Sequence, residues 1–188
     1  GRWPDPVLDL IGGQRCGAGL LAPAERRRMV SRVIPVEPFD LVVFGATGDL
    51  ARRKVLPALY RRYLGGQVPE TSRIIGAARG ALDDAGFRAF AADAVREFLP
   101  AMKHDDATMA RFLAHLTYVP LDAKGEAGWA DLARLVRRDM VQAFYFSVAP
   151  TLFGALAERL HRFAIAGPEA RIVVEKPFGR DLETARAL

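Results

Sequence analysis

The chain of 188 residues contains a single cysteine, Cys16. One thiol excludes an internal disulfide and a thiolate-held metal cluster, and it fits a reducing compartment. Histidine is nearly as scarce: His104, His115 and His161 show no metal-ligand spacing and read as ordinary helix or surface residues. No apolar run approaches the length of about 18 residues that a membrane-spanning helix needs. The N-terminus also lacks a charged start followed by a clean apolar core. These absences lead us to expect a soluble, cytoplasmic protein. Several nucleotide motifs are missing as well. There is no G-x-x-x-x-G-K-[ST], no G-x-G-x-x-G, and none of Tyr60, Tyr63, Tyr118 or Tyr145 has a lysine four residues on, as a short-chain reductase requires.

Apolar residues, by contrast, make up 51% of the chain, enough to bury a sizeable core. Net charge is +5, but Arg2, Arg15, Arg26, Arg27 and Arg28 outnumber Asp5, Asp9 and Glu25 by two, leaving +3 over the other 160 residues. That ordinary balance does not call for nucleic acid as a partner. Residues 1–28 hold Gly12-Gly13, Gly17, Gly19, three prolines and a triple arginine without sustained periodicity. Met29 follows, and Val30 to Pro35 lead into the first strand pattern. We therefore expect a poorly structured leader over residues 1–35, with Met29 as the native start, and one domain over 36–188. The chain opens on Gly1 and stops at Leu188 inside a helical pattern, so it reads as a fragment.

From Asp40 onward short β-rich runs alternate with helical patterns. Strands are predicted at Leu41 to Phe44, Arg73 to Ala77, Thr117 to Leu121, Val141 to Val148 and Arg171 to Glu175. Between them Phe87, Phe90, Ala91, Ala94, Val95, Phe98 and Leu99 recur at helical spacing. So do Trp129, Leu132, Leu135 and Val136, and then Leu152, Phe153, Leu156, Leu160 and Phe163. These stripes read as core. An extra helix over Asp105 to Leu116 places Met109, Phe112, Leu113 and Leu116 on one face. Pro57 lies inside the first helical pattern and should kink it or end its first segment near Leu56. Right-handed crossovers then favour an α/β fold with a doubly wound, Rossmann-type parallel sheet in the order 3-2-1-4-5 and helices on both faces.

In such a sheet ligands bind outside the carboxyl ends of the strands, and a glycine turn follows the first strand there. Gly45 permits a tight turn, Gly48 lets backbone approach a pyrophosphate, and Ala51 is small enough for close helix–strand packing. The N–H groups at the helix start would meet the anion. The pattern is G-x-x-G-x-x-A, with Thr47 and Leu50 where glycines often stand. Asp49 reads as a helix-start residue that favours the dipole and takes no ligand role. Arg52, Arg53 and Lys54 read as a solvated basic face from which one side chain could also touch phosphate. After the second strand, where a free ribose hydroxyl would be met by Asp or Glu, the chain instead has Arg79, which suits a 2′-phosphate. Gly80 offers no second clamp. After the fifth strand Lys176 faces the same edge, held extended by Pro177, whose peptide could be cis.

Taken together, Gly45 to Lys54 with Pro57-Ala58-Leu59-Tyr60, Gly76 to Arg79, Phe144 to Pro150, and Val174 to Asp181 closely resemble the N-terminal coenzyme domain of the glucose-6-phosphate 1-dehydrogenase family. The resemblance runs from about Val36 to Leu188. It implies oxidation of glucose 6-phosphate to the 6-phospholactone with NADP, the entry to the oxidative pentose phosphate pathway. It also implies a coenzyme loop of Gly45, Ala46, Thr47, Gly48, Asp49, Leu50, Ala51 and Arg52, with Arg79 on the 2′-phosphate. Asp122, Ser147, Val148, Ala149 and Pro150 would line the coenzyme cleft, and Lys176 would contact both coenzyme and substrate. Phe153 stands where some relatives carry Tyr. The family's D-H-Y-L-G-K-E segment, its catalytic histidine and its β+α substrate domain would lie beyond Leu188. The fragment is therefore expected to bind coenzyme without catalysing the reaction, and the full-length protein to be a homo-oligomer. Two other readings are a non-catalytic NADP-sensing module and a sugar dehydrogenase of the Glu-Lys-Pro type.

Overall fold

The computed structural model describes residues 36–101 and 105–175. The expected leader, Cys16, Met29, His104 and everything from Lys176 onward lie outside the described residues.

The first strand, β1 (Phe39–Phe44), is buried along its whole length, as its unbroken apolar run after Asp40 requires. It lies at the centre of a five-stranded sheet between β2 (Arg73–Ala78) and β4 (Val141–Phe146); β3 (Leu116–Pro120) and β5 (Arg171–Val174) form the edges. Every pairing is parallel, and the order is β3-β2-β1-β4-β5, as the sequence pattern implied. The fourth strand stops two residues short of the expected Val148. β1 turns away after Phe44, so Ser147 makes one last bond, its N–H to the Phe44 carbonyl at 2.9 Å, and then has no strand to follow.

Alternation along the strands divides the core into two layers. Leu41, Val43, Ile74, Leu116 and Tyr145 face a layer that includes Phe87, Ala91, Val95, Phe112 and Tyr60. Val42, Phe44, Ile75, Ala77, Phe144 and Phe146 face Trp129, Leu132, Leu156 and Leu160. The first layer is covered by α1 (Leu56–Leu64), α2 (Asp84–Phe98) and α3 (Asp106–Ala114); the second by α4 (Trp129–Leu135) and α5 (Phe153–Arg162). Helices on both faces bury the sheet twice, which is why its central strands need no polar alternation.

Local signals account for the helix starts. The Asp83 carboxylate accepts from the Gly86 N–H at 2.7 Å, and the Asp105 carboxylate accepts from the Thr108 N–H at 2.8 Å. Beside Pro57 the first helical segment ends near Leu56, as expected, and the pitch changes there. A π-helical segment, Ala51–Val55, closes with the Leu56 N–H bonded to the Ala51 carbonyl and runs directly into α1. Pro57 has no N–H for the Arg53 carbonyl and needs room for its ring, and the wider turn supplies it. One element differs from expectation at its end. Leu116 opens β3 rather than closing α3, because the helix stops at Ala114 and Leu116 pairs with Ile74.

The amino edge of the sheet is fastened by a buried ion pair. Asp40 is fully buried, and its carboxylate accepts from the Arg137 backbone N–H at 2.7 Å and from the Arg137 guanidinium. Arg137 also donates to the Thr71 carbonyl, and Gln142 donates to the Arg137 carbonyl. Hydrogen bonding to Asp40, opposed by burial, raises the Arg137 pKa further, so the guanidinium stays charged.

Candidate functional site

The chain leaves all five strands at one edge, and the residues singled out from sequence lie there in the order fixed by the strands. Gly45 follows β1, Arg79 follows β2, Asp122 lies just past β3 and Ser147 follows β4, while Lys176, expected past β5, lies outside the described residues. Gly45 turns with φ +76°, its N–H bonded to the Ala77 carbonyl at 2.8 Å. A side chain there would put Cβ 2.3 Å from the Ser147 carbonyl oxygen and 2.8 Å from Val148 Cγ1. Gly45 is thus demanded twice, by its left-handed backbone and by the closeness of the β4 turn. Gly48 is exposed, and its N–H returns to the Gly45 carbonyl at 2.9 Å.

The helix begins at once. The Arg52 N–H bonds the Gly48 carbonyl at 3.0 Å, so the N–H groups of Asp49, Leu50 and Ala51 form a first turn without intrahelical acceptors. They provide a partial positive charge facing the sheet edge. Ala46 and Ala51 are buried in the first core layer and bring the helix close to the sheet. The Asp49 carboxylate pairs with Arg53 at 2.8 Å, one turn along its own helix. Arg52 pairs with Glu97 at 2.7 Å and lies over the Phe90 ring, while Arg53 lies over Phe98. The basic face therefore packs partly on α2, and its planar guanidinium groups lie over aromatic rings. Thr47 remains half-buried in the turn itself.

Arg79 is exposed on the loop after β2. The carboxylates at the start of α2 are engaged elsewhere: Asp83 caps the helix, and Asp84 accepts from the Tyr118 N–H at 2.7 Å. Asp122 turns its carboxylate into its own loop, where it accepts from the Lys124 N–H at 3.0 Å. That bond, a second from Gly125, and the positive charges of Arg79 and Arg159 hold its pKa below the ordinary carboxylate value against a desolvation that raises it. The Asp122 carbonyl takes the Trp129 indole N–H at 2.9 Å, so the loop is anchored to the second core layer.

After β4, Ser147 is more than nine-tenths buried, and its hydroxyl oxygen has no hydrogen-bond partner. Val148 is half-buried, Ala149 and Pro150 are exposed, and Pro150 starts a 3₁₀ turn, Pro150–Leu152, into α5. Phe153 is buried against Phe146, its ring centroid 5.6 Å away, a packing role that needs no hydroxyl. An unsatisfied buried hydroxyl beside a glycine turn and open helix N–H groups fits a polar, phosphate-bearing ligand at this edge. The described histidines do not contribute. His115 Nδ1 lies 2.9 Å from the Ser72 carbonyl at the opposite edge, and His161 is exposed on α5. Among the described residues no cluster suits a metal ion, and no helix is long and apolar enough to cross a membrane.

With this geometry in view, comparison with known proteins is decisive. The family model described as glucose-6-phosphate dehydrogenase, NAD binding domain, matches residues 42–188. The chain belongs to the glucose-6-phosphate dehydrogenase family. It is 48% identical over 162 residues to glucose-6-phosphate 1-dehydrogenase of Rhizobium meliloti, covering 85% of this chain and 33% of that protein. A crystal structure of the Mycobacterium avium enzyme superposes with a TM-score of 0.73 at 32% identity, over 80% of this chain and 32% of that one. A glucose-6-phosphate dehydrogenase solved in complex with its substrate glucose 6-phosphate gives 0.67 at 29%, over 80% and 33% respectively. The chain thus spans about a third of the length of these relatives. The matched domain is an NAD-binding one, which supports a nicotinamide coenzyme and sets aside the sugar dehydrogenases of the Glu-Lys-Pro type.

Two features of this edge were not singled out from sequence. Arg159 on α5 donates from Nε to the Gly125 carbonyl at 2.9 Å and from its terminal nitrogen to the Lys124 carbonyl, clamping the loop that carries Asp122. Glu175 accepts from the Tyr145 hydroxyl, which ties the end of β5 to β4. Neither pair is adjacent in sequence, and no local pattern announces either contact.

Proposed function

We propose that this chain is the NADP-binding part of an enzyme that oxidises glucose 6-phosphate to 6-phosphogluconolactone in the oxidative pentose phosphate pathway. The observation that carries the reading is the closed glycine turn at Gly45, with an open helix start on one side and Arg79 on the other. Gly45, Ala46, Thr47, Gly48, Asp49, Leu50, Ala51 and Arg52 form the coenzyme loop in this reading, through backbone more than side chain. Ser147, Val148, Ala149 and Pro150 wall the cleft from β4, and Asp122 walls it from β3. Arg79 takes the 2′-phosphate, since the carboxylates of Asp83 and Asp84 already have partners and do not serve a free ribose hydroxyl. NADP, when bound, supplies hydride acceptance; the chain's own residues bind and orient it. Lys176 contacts coenzyme and substrate.

Residues 36–188 form the coenzyme domain, and residues 1–35 a leader. The substrate domain and the catalytic base belong to the remaining two-thirds of the relatives' length. Glucose 6-phosphate and self-association are thus properties of the full-length protein, which works in the cytoplasm without nucleic acid or membrane partners.

Fluorescence titration of the 188-residue chain with NADPH and NADH tests the reading. A single charged contact is worth about 1.5–3 kcal/mol, or about 10- to 150-fold. Arg79→Ala is expected to weaken NADPH binding by that range and to leave NADH binding nearly unchanged. Equal affinity of the folded wild-type chain for the two coenzymes would overturn the role of Arg79. Sustained glucose-6-phosphate-dependent NADPH production by this chain alone would overturn its assignment as a coenzyme part only.

A further inference from the structure

The loop that carries Arg79 is held from the neighbouring strand. The Tyr118 hydroxyl on β3 lies 3.0 Å from the Ala78 carbonyl and 2.8 Å from the Gly80 carbonyl, and donates between them. These carbonyls belong to the residues on either side of Arg79. One O–H shared by two acceptors therefore fixes the backbone before and after the arginine. The phenol is itself firmly placed. Its ring is buried against Phe87 with centroids 5.3 Å apart, and its backbone N–H donates to the Asp84 carboxylate at 2.7 Å. The Ala78 carbonyl also accepts from the Leu121 N–H at 2.9 Å, so the ends of β2 and β3 are joined at this point. Burial raises the Tyr118 pKa above its ordinary value, and the hydroxyl stays a donor through neutral pH.

We propose that Tyr118 is a positioning residue for coenzyme discrimination: its hydroxyl clasps the backbone from Ala78 to Gly80 so that Arg79 projects toward a 2′-phosphate. The proposal rests on the reading of Arg79 given above. Without the clasp the backbone around Arg79 keeps the Leu121 bond at Ala78 but loses its hold at Gly80, and binding must then order backbone as well as side chain. The Tyr118 hydroxyl bonds Ala78 and Gly80 and neither the glycine turn nor the first helical turn, which follow β1, so a coenzyme without the 2′-phosphate loses little.

Tyr118→Phe keeps the ring on Phe87 and removes only the hydroxyl. In titrations of the 188-residue chain with NADPH and NADH, this variant should bind NADPH about 3- to 10-fold more weakly, with NADH changed less than about twofold. Its thermal melt should stay close to wild type. Tyr118→Phe combined with Arg79→Ala should lose no more NADPH affinity than Arg79→Ala alone, because the hydroxyl acts through the arginine. A merely structural tyrosine would weaken both coenzymes together and add its loss to that of Arg79→Ala; either result overturns the proposal. Wild type that prefers NADPH through Arg79, with the preference intact in Tyr118→Phe, removes the clasp and leaves the Arg79 reading standing. A folded wild-type chain without NADPH preference removes both.

Discussion

Gly45→Ala is expected to abolish coenzyme binding while the sheet still forms. Alanine at φ +76° costs about 1–2 kcal/mol before any contact is considered. Its Cβ would then stand 2.3 Å from the Ser147 carbonyl oxygen, a backbone atom that cannot rotate aside. Either the β1 turn or the β4 turn has to move, and the two define the cleft between them. A shift of that kind misaligns the Asp49, Leu50 and Ala51 N–H groups from an anion. Losing two charge-assisted bonds of about 1.5–3 kcal/mol each corresponds to weakening on the order of a hundredfold or more. NADPH titration of Gly45→Ala, with circular dichroism to confirm retained secondary structure, checks this. Near-wild-type affinity would mean that the turn does not seat the coenzyme. Gly48→Ala is the natural comparison, since a Cβ there meets only the Gly45 carbonyl, at 3.1 Å.

At the other edge of the same strand, Asp40→Ala should produce the opposite pattern, with stability lost and coenzyme binding kept. Asp40 is fully buried, and Arg137, with a side chain 22% exposed, is its ionic partner. Removing one member of a buried pair typically costs about 3–5 kcal/mol, because the other charge and its hydrogen-bond donors are left unmatched. Arg137 keeps some solvent and the Thr71 carbonyl, which places the expected loss near the lower end, about 3 kcal/mol. For a chain of this size that lowers the melting temperature by about 6–12 °C. Asp40→Asn should cost less, since an amide oxygen can still accept from the Arg137 N–H. Asp40 and Gly45 are about 16 Å apart along β1, so NADPH affinity measured well below the melting point should be unchanged. A melting temperature within about 2 °C of wild type for Asp40→Ala would show that the pair stabilises little.

The two variants separate what was legible in the sequence from what was not. The glycine turn was legible because its chemistry is local: Val42 to Phe44 must be buried, Gly45 must turn, and a helix must follow. Sheet order was legible for a similar reason, since right-handed crossovers between short parallel strands leave few arrangements. Arg79 stood out because the place after the second strand is fixed by that topology. The end of β4 was not legible. Whether Val148 continues a strand depends on what β1 does after Phe44, and the β-rich run from Val141 carries no mark of it. Leu116 was misplaced for the same reason, since a leucine suits the face of a helix and the start of a buried strand equally well.

Asp40 reads from sequence only as an acid at the start of an apolar run; its meaning depends on Arg137, 97 residues further on. Tyr118, Arg159 and the Tyr145–Glu175 pair are of this second kind. The sequence by itself determined the strand order, the layered core and the edge at which the glycine turn and Arg79 meet, because those follow from periodicity and chain chirality. Only the tertiary structure decided which side chains hold the loops of that edge in place. Such contacts join residues far apart in sequence, and their energies depend on distances of a few ångströms that no local pattern encodes.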